Sequence, residues 1–134
     1  MNPVPVLVTG GAGYIGSHAG LALLDAGWPV AVIDDLSNGT REAVPDGVPF
    51  YEGNIANRAL VERIIREQKI QAIMHFAGSI VVPESVEKPL KYYANNTLAS
   101  HALISAAVDE KRMCLTPAFT AALIKAWLAS VLLA

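Results

Sequence analysis

The sequence has few of the residues that build disulfides, metal centres or polyanion-binding surfaces. Its single cysteine, Cys114, excludes an internal disulfide and any cysteine-based metal cluster within the chain. Only 16% of the residues are charged, the formal net charge is −2, and the 10 lysines and arginines are scattered along the sequence. Nucleic-acid-binding proteins usually carry a concentrated positive charge instead. We therefore expect neither a metal site nor a nucleic-acid partner.

The sequence also has no recognisable targeting segment. No basic residue lies between Met1 and Pro5, so the positively charged start of a secretory signal is missing. An apolar stretch at residues 118–134 has Lys125 as its only charge, and it is shorter than the ~20 residues that a membrane-spanning helix needs. We expect a cytoplasmic protein without a membrane role.

The most informative segment that is present is a glycine-rich turn at residues 9–17. Gly10, Gly13 and Gly16 lie where an apolar stretch, predicted as a strand, gives way to a helical pattern. Glycines in such a turn permit the sharp bend, leave bare backbone for a pyrophosphate and let the helix pack against the strand. The unpaired N–H groups and the positive dipole end at the start of the helix also favour phosphate.

A carboxylate completes this pattern. Asp34 ends the next apolar run, residues 30–33, at the spacing of roughly 20 residues where an acid accepts hydrogen bonds from an adenosine ribose. A glycine-rich turn by itself can be merely structural. The full order of strand, turn, helix, strand and acid favours a dinucleotide-binding site.

Strands and helices alternate along the rest of the chain. Alternation of this kind predicts an α/β fold with a Rossmann-like, doubly wound parallel sheet and right-handed crossovers. The pattern stops after about four strands, so we expect residues 1–110 to form an incomplete dinucleotide-binding domain and residues 111–134 an atypical, apolar helical tail. The apolar periodicity predicts strands at residues 4–9, 30–34, 50–52 and 70–76, and helices at residues 15–26, 58–65 and 89–108.

Four single residues carry further expectations. Asn57 is a suitable N-cap for the second helix, and Glu62 and Arg66 are spaced to pair on its solvent side. His75 ends the fourth predicted strand, where we expect a hydrogen-bonded core residue and not a metal ligand.

Several segments, in order, resemble the UDP-glucose 4-epimerases of the extended short-chain dehydrogenase/reductase superfamily. The glycine turn is common to the whole superfamily. The combination of HFAG (75–78) with the segment at residues 83–97 occurs in a much narrower set of its members. The resemblance covers residues 4 to about 110, and its segments are VTGGAGYIGSH (8–18), DDLSNG (34–39), HFAG (75–78) and PESVEKPLKYYANNT (83–97).

The resemblance implies an NAD-dependent isomerase of galactose metabolism. Such an enzyme interconverts UDP-glucose and UDP-galactose through a 4-keto intermediate, so the full-length protein would take a UDP-hexose and form a homodimer. Two positions depart from the family pattern: Asn54 replaces an aspartate, and Ile80 stands where some members have lysine. The cofactor residues implied by the resemblance are Gly10, Gly13, Tyr14, Ile15, Gly16, Asp34, Asp35, Leu36, Ser37, Asn38, Gly39, Asn54, Ile55, Phe76, Ala77, Gly78, Ser79, Ile80 and Asn95.

The catalytic segment of the family is not found in this sequence. In the family, a Tyr-x-x-x-Lys helix follows a fifth strand. Here the residues four positions after the tyrosines are His18, Ile55, Asn96 and Thr97, so none is lysine. We therefore expect no catalytic residue in this chain and interpret it as the inactive N-terminal, NAD-binding part of an epimerase.

Three alternatives stay open. Another NAD-dependent nucleotide-sugar epimerase or dehydratase would share the same cofactor half. A non-catalytic, nucleotide-sensing domain would also lack the catalytic segment. An NADP-dependent reductase is disfavoured, because Asp34 would face the 2′-phosphate with a like charge.

Overall fold

A computed structural model of the protein describes residues 2–110, so the predicted tail at residues 111–134 lies outside the described residues. None of the helices in residues 2–110 has both the length and the apolar character that crossing a bilayer requires. The strands are β1 (Val6–Thr9), β2 (Val30–Asp34), β3 (Phe50–Glu52) and β4 (Ala72–His75), and the helices are α1 (Tyr14–Asp25), α2 (Arg58–Glu67), α3 (Val82–Glu87), α4 (Pro89–Tyr92) and α5 (Ala99–Asp109).

The strands form one parallel sheet in the order β3-β2-β1-β4. β1 is the central strand, and its Val8 lies between Val32 of β2 and Met74 of β4. Between consecutive strands the chain crosses over through α1, a loop or α2, as parallel pairing requires. This topology confirms the predicted α/β fold with a Rossmann-like parallel sheet.

Alternate residues of the two central strands build a core on each face of the sheet. Val8 and Val32 pack with Leu23 of α1 on one face. On the other face, Leu7 and Ile33 pack with residues of α2 and α5. Because β1 and β2 are covered on both faces, every residue in them is buried.

Two strands are shorter than the apolar runs predicted. β1 begins at Val6 instead of residue 4, because Pro5 has no N–H to donate to a neighbouring strand. β4 begins at Ala72 instead of residue 70, because the N–H of Ile70 donates to Ile65 O and so belongs to the turn that ends α2. β4 also ends at His75, one residue earlier than predicted.

The second helix has the predicted cap but not the predicted ion pair. The side chain of Asn57 accepts a hydrogen bond from Leu60 N, which confirms it as the N-cap. Glu62 pairs with Arg58 at 2.6 Å instead of with Arg66, so the predicted pair is wrong. Arg66 instead reaches Glu110 at the end of α5, 2.6 Å away, because α2 packs directly against α5.

The long third helix predicted at residues 89–108 is present but interrupted. α4 passes into α5 through a π-helical turn at Tyr93–Leu98. A short helix that the sequence analysis did not predict, α3, precedes it. Glu84 of α3 accepts hydrogen bonds from Lys91 and Tyr92 of α4, which holds the two helices together.

α1 lies in very close contact with the turn that precedes it. A Cβ added to Gly16 would come within 2.1 Å of Gly10 O, whereas a Cβ added to Gly20, one turn further along the same helix, would meet nothing within 4 Å. Only Gly16 is therefore required by the packing of α1 against the turn.

We expect Gly16→Ala to lower the free energy of unfolding by about 1–3 kcal/mol, because the turn must shift to make room for the methyl group. The matched variant Gly20→Ala should instead raise it by up to ~1 kcal/mol, since alanine is the better helix former. Urea unfolding followed by circular dichroism measures both. Equal effects of the two substitutions would contradict the packing described.

Candidate functional site

A cleft lies at the carboxyl ends of β1, β2 and β4. In open parallel α/β sheets, ligands bind at this edge, where successive strands lead into helices on opposite faces. The cleft is lined by Gly10, Gly13, Ile33, Asp34, Asp35, Ser37, Asn38, Gly39, Gly53, Asn54, Ile55, Phe76, Ala77, Gly78, Ser79 and Asn95.

Gly10 makes the turn at the end of β1. Its φ of +68° lies in the left-handed region, which residues with a side chain rarely adopt. A Cβ at this position would lie 2.7 Å from Ala77 N and 2.8 Å from Phe76 C. Both the backbone conformation and the adjacent chain therefore require glycine here.

Gly13 has a different role from Gly10. It is the N-cap of α1 with φ −81° and ψ 172°, a conformation open to any residue, and the nearest atom to an added Cβ is Gly10 O at 3.3 Å. Because Gly13 lines the cleft, a side chain here would occupy cleft space beside the start of α1, and its Cβ would lie tightly against Gly10 O. Among the described residues, no side chain caps the first turn of this helix. Its N–H groups and the positive end of its dipole are thus available to an anion.

Asp34 connects two walls of the cleft. Its carboxylate is almost fully buried and accepts hydrogen bonds from Ala12 N and Leu36 N, both at 2.9 Å. The first bond reaches across to the glycine turn, and the second orders the loop that follows β2. Each oxygen keeps a lone pair, so the group can hold the loops and still accept from a ligand hydroxyl.

Asp35 and Asn54 form a polar contact on the neighbouring wall. The Asn54 amide donates to Asp35 Oδ2 at 3.1 Å, and the Asn54 carbonyl oxygen accepts from Ala56 N at 2.9 Å. Burial raises the pKa of the Asp35 carboxyl, but hydrogen bonds from Ser37 and Asn54 outweigh it, and the pKa is lowered overall. Asp35 is therefore ionised at neutral pH. An aspartate at position 54 could not donate this bond.

The wall opposite Asp34 is the turn after β4. Thr9, fully buried at the end of β1, accepts hydrogen bonds through Oγ1 from Phe76 N at 3.2 Å and Ala77 N at 3.4 Å. Phe76 N also donates to Thr9 O at 3.0 Å. These bonds hold the turn against the end of β1, where Gly10 leaves room for it.

The π-helical turn holds the same wall from the other side. Asn95 donates to Ser79 Oγ at 3.1 Å, while Asn96 donates to Ser79 O at 2.9 Å and accepts from Ser79 N at 2.7 Å. The wider π turn brings two consecutive asparagines to one loop residue. Such turns often occur at functional sites. Asn96 was not among the predicted site residues.

His75 differs from its prediction in one respect. It is hydrogen-bonded as expected, with Nδ1 2.6 Å from Thr9 Oγ1 and Nε2 2.9 Å from Ser100 Oγ. It is not a core residue, however, because β4 is an edge strand of the described sheet and leaves His75 exposed. The partial burial of its imidazole lowers the pKa of His75 below the ordinary value.

Most of the predicted cofactor residues line the cleft. Five others lie outside the lining: Tyr14, Ile15, Gly16, Leu36 and Ile80. The side chains of Tyr14 and Ile80 are largely exposed, at 82% and 87%. Gly16 is buried under the glycine turn, and Leu36 has a positive φ of 56°.

Two lining residues were missed by the sequence analysis: Ile33 and Gly53. Ile33 precedes Asp34 in β2, and Gly53 follows directly after β3. The signal that would have found them is their position at the carboxyl ends of parallel strands, the edge at which ligands bind.

Comparison with known proteins identifies the family. The chain matches the NAD dependent epimerase/dehydratase family over residues 6–120. A UDP-glucose 4-epimerase of Azospirillum brasilense is 61% identical over 101 residues, which cover 75% of this chain and 29% of that protein. These matches confirm the resemblance carried by the sequence segments.

Solved structures agree with this. The UDP-glucose 4-epimerase of Thermus thermophilus in complex with NAD superimposes with a TM-score of 0.78 and 42% identity, over 81% of this chain and 35% of that chain. The UDP-glucose 4-epimerase from Bifidobacterium longum in complex with NAD+ and UDP gives a TM-score of 0.76 and 35% identity, over 81% and 34%. The chain thus spans about a third of the length of these relatives. It belongs to the NAD dependent epimerase/dehydratase family.

Proposed function

We propose that the cleft binds NAD, and that residues 1–110 are the N-terminal, cofactor-binding part of a UDP-glucose 4-epimerase, followed in the sequence by an atypical apolar tail at residues 111–134. The observation that carries this proposal is the bare backbone of Gly13, which lies on the cleft at the uncapped start of α1. The NAD complexes of two relatives support the same cofactor.

The glycine turn and Asp34 fit a dinucleotide. Gly13 leaves the space that a pyrophosphate needs, and the backbone N–H groups of Tyr14 and Ile15 would bind it with the help of the helix dipole. The free lone pairs of Asp34 would accept from the ribose hydroxyls. The side chains of Tyr14 and Ile15 need not line the cleft, because only their N–H groups are used.

The other lining residues would bind the two ends of the cofactor. Asp35, Leu36, Ser37, Asn38 and Gly39 would lie on the adenosine side, with Asn54 and Ile55 beside adenine. The Phe76–Ile80 segment and Asn95 would follow the cofactor towards the nicotinamide. The bound NAD would supply hydride transfer to and from the sugar, while this chain binds and orients it.

NAD is proposed in preference to NADP on electrostatic grounds. A 2′-phosphate would lie beside the Asp34 carboxylate, and the lining contains no lysine or arginine among the described residues to offset the repulsion. Arg41 lies beyond the loop, where its guanidinium is 4.8 Å from the Phe50 ring centroid and donates to Val44 O.

A longer protein would bind a UDP-hexose and form a homodimer. The helical segment from α4 to α5 supports the homodimer, since it carries apolar side chains that are more than half exposed: Leu90, Tyr93, Ile104 and Val108. Exposed apolar surface of this kind is typical of protein–protein contacts.

We expect Gly13→Val to weaken NAD binding at least about tenfold, or ~1.4 kcal/mol, because the side chain occupies the pyrophosphate space. The free energy of unfolding should fall by less than a core truncation would cost, since the φ of Gly13 suits valine, but an added Cβ would lie tightly against Gly10 O, at 3.3 Å. Isothermal titration calorimetry measures the affinity, with Gly20→Ala as the control in the same helix. A Gly13→Val protein that binds NAD like the native chain would refute the assignment of the turn.

We expect the native chain to bind NAD more tightly than NADP, and Asp34→Ala to weaken NAD binding by about 1–3 kcal/mol. The variant should also unfold more easily, because Ala12 N and Leu36 N lose their acceptor. Calorimetry with both cofactors measures the preference, and Asp25→Ala, an exposed acid at the end of α1, controls for net charge. Equal or tighter NADP binding by the native chain would contradict the proposal.

We expect the 134-residue chain alone not to convert UDP-galactose to UDP-glucose. General-base assistance contributes about 10²–10⁴ in rate, and no tyrosine here has a lysine four residues on. A coupled dehydrogenase assay with saturating NAD detects the product. Turnover that exceeds a protein-free control and disappears in Gly13→Val would show that the chain has its own catalytic residues.

A further inference from the structure

A continuous chain of hydrogen bonds runs from the cleft to α5 through the His75 imidazole. Phe76 N and Ala77 N donate to Thr9 Oγ1, which lies 2.6 Å from His75 Nδ1. His75 Nε2 lies 2.9 Å from Ser100 Oγ, and that hydroxyl donates to Asn96 O at 2.6 Å. These hydrogen bonds thus connect the end of β1 with the π-helical turn, the two segments that hold the Phe76–Ser79 wall.

The donors and acceptors of these hydrogen bonds fix the protonation state and the tautomer of the His75 imidazole. The Ser100 hydroxyl proton is used on Asn96 O, so its oxygen must accept from His75 Nε2–H. Thr9 Oγ1 already accepts two N–H groups, so its own proton must go to His75 Nδ1. Only the neutral imidazole with the proton on Nε2 satisfies every group.

A second proton on His75 would weaken the hydrogen bonds that hold the cleft wall. Nδ1–H would then compete with Phe76 N–H and Ala77 N–H for the two lone pairs of Thr9 Oγ1, and the Thr9 hydroxyl would lose its acceptor. Phe76 N keeps its bond to Thr9 O, whereas Ala77 N has Thr9 Oγ1 as its partner. The loosened residue is therefore Ala77, whose N would be the nearest atom to a Cβ added at Gly10.

No nearby charge opposes or drives this titration within the described residues. β1 and the rest of β4 carry no titratable side chain, and the π turn and α5 carry Tyr93, His101 and Asp109. Asp109 is paired with Arg58. Burial is the cause of the lowered pKa of His75. The unfolded chain thus binds the proton more readily, and the ordered turn loses stability as the pH falls through the range of His75 titration.

We propose that His75 is a positioning residue, which in its neutral form holds the Phe76–Ala77 wall against the glycine turn and, when protonated, loosens the cleft so that NAD binds less tightly. The claim that protonation weakens NAD binding rests on the proposed NAD site. The claim that neutral His75 holds the wall concerns the protein without ligand. By linkage, bound NAD should also shift the titration of His75 to lower pH.

The positioning is tested on the ligand-free chain by NMR. Long-range ¹H–¹⁵N spectra should show the Nε2–H tautomer and a midpoint below the ordinary ~6.5 of histidine. The amide shift of Ala77 should follow the same midpoint, and it should still do so in His101→Asn, in which an exposed histidine is replaced. A proton on Nδ1, or an Ala77 amide that does not follow His75, would overturn the proposal.

The effect on the cofactor is tested by calorimetry between pH 5 and pH 8. NAD affinity should fall about three- to tenfold towards pH 5, as for the loss of one hydrogen bond. His75→Asn keeps an acceptor near Nδ1 but cannot titrate in this range, so its affinity should be independent of pH. His101→Asn, an exposed control, should retain the native profile. A pH-dependent His75→Asn protein would contradict the proposal.

Variants of Thr9 distinguish the role of its hydroxyl group from the contribution of the residue to folding. Thr9→Ser keeps the hydroxyl and should retain the pH profile, whereas Thr9→Val should lose it and bind NAD less tightly. Because Thr9 is buried, dispersed amide spectra must first show that Thr9→Val folds. If it does not, Ser100→Ala, at a half-buried position, removes the acceptor of His75 Nε2–H and should allow the proton to move to Nδ1. If NAD binds at no pH, the proposed function fails, and the tautomer and the Ala77 shift still decide the role of His75.

Discussion

The close approach of Gly10 to the backbone of Phe76 and Ala77 is the contact on which the geometry of the cleft depends. A single added carbon at Gly10 would overlap Ala77 N, so the ends of β1 and β4 can meet only if this residue has no side chain. A φ of +68° also turns the chain away from the sheet here and directs it into α1. Gly16 then allows the helix to pack on the same turn. The cleft space beside Gly13 adjoins these two tight contacts.

Polar side chains at the strand ends fasten the loops around that space. Asp34, at the end of β2, binds backbone N–H groups of the glycine turn and of its own loop. Thr9, at the end of β1, does the same for the turn after β4. Because a buried donor or acceptor that loses its partner costs about 1–3 kcal/mol, these ties resist loosening. Asp34, which is proposed to recognise the cofactor, therefore also shapes the cleft.

Much of the fold could be predicted because its signals are local. The apolar runs of β1 and β2 are buried on both faces, and Asn57 marks the start of α2 directly. The glycine turn and Asp34 were found by spacing and residue type. What sequence could not supply depends on contacts between distant residues: the exposure of His75 on an edge strand, the pairing of Arg66 with Glu110, and the role of Asn96 in holding Ser79. The π turn that brings Asn96 there leaves no mark in the apolar periodicity.

The most direct test of the NAD site is to map it on the ¹⁵N-labelled chain by titrating NAD and following the backbone amides. If the cleft binds NAD, the largest shifts will fall in the glycine turn at residues 10–16, the loop at residues 34–39 and the turn at residues 76–79. The amides of α2, which packs against Leu7 and Ile33 on the face of the sheet opposite α1, will change little. No saturable shifts, or shifts centred on α2 and α5 with the glycine turn unchanged, would contradict the site.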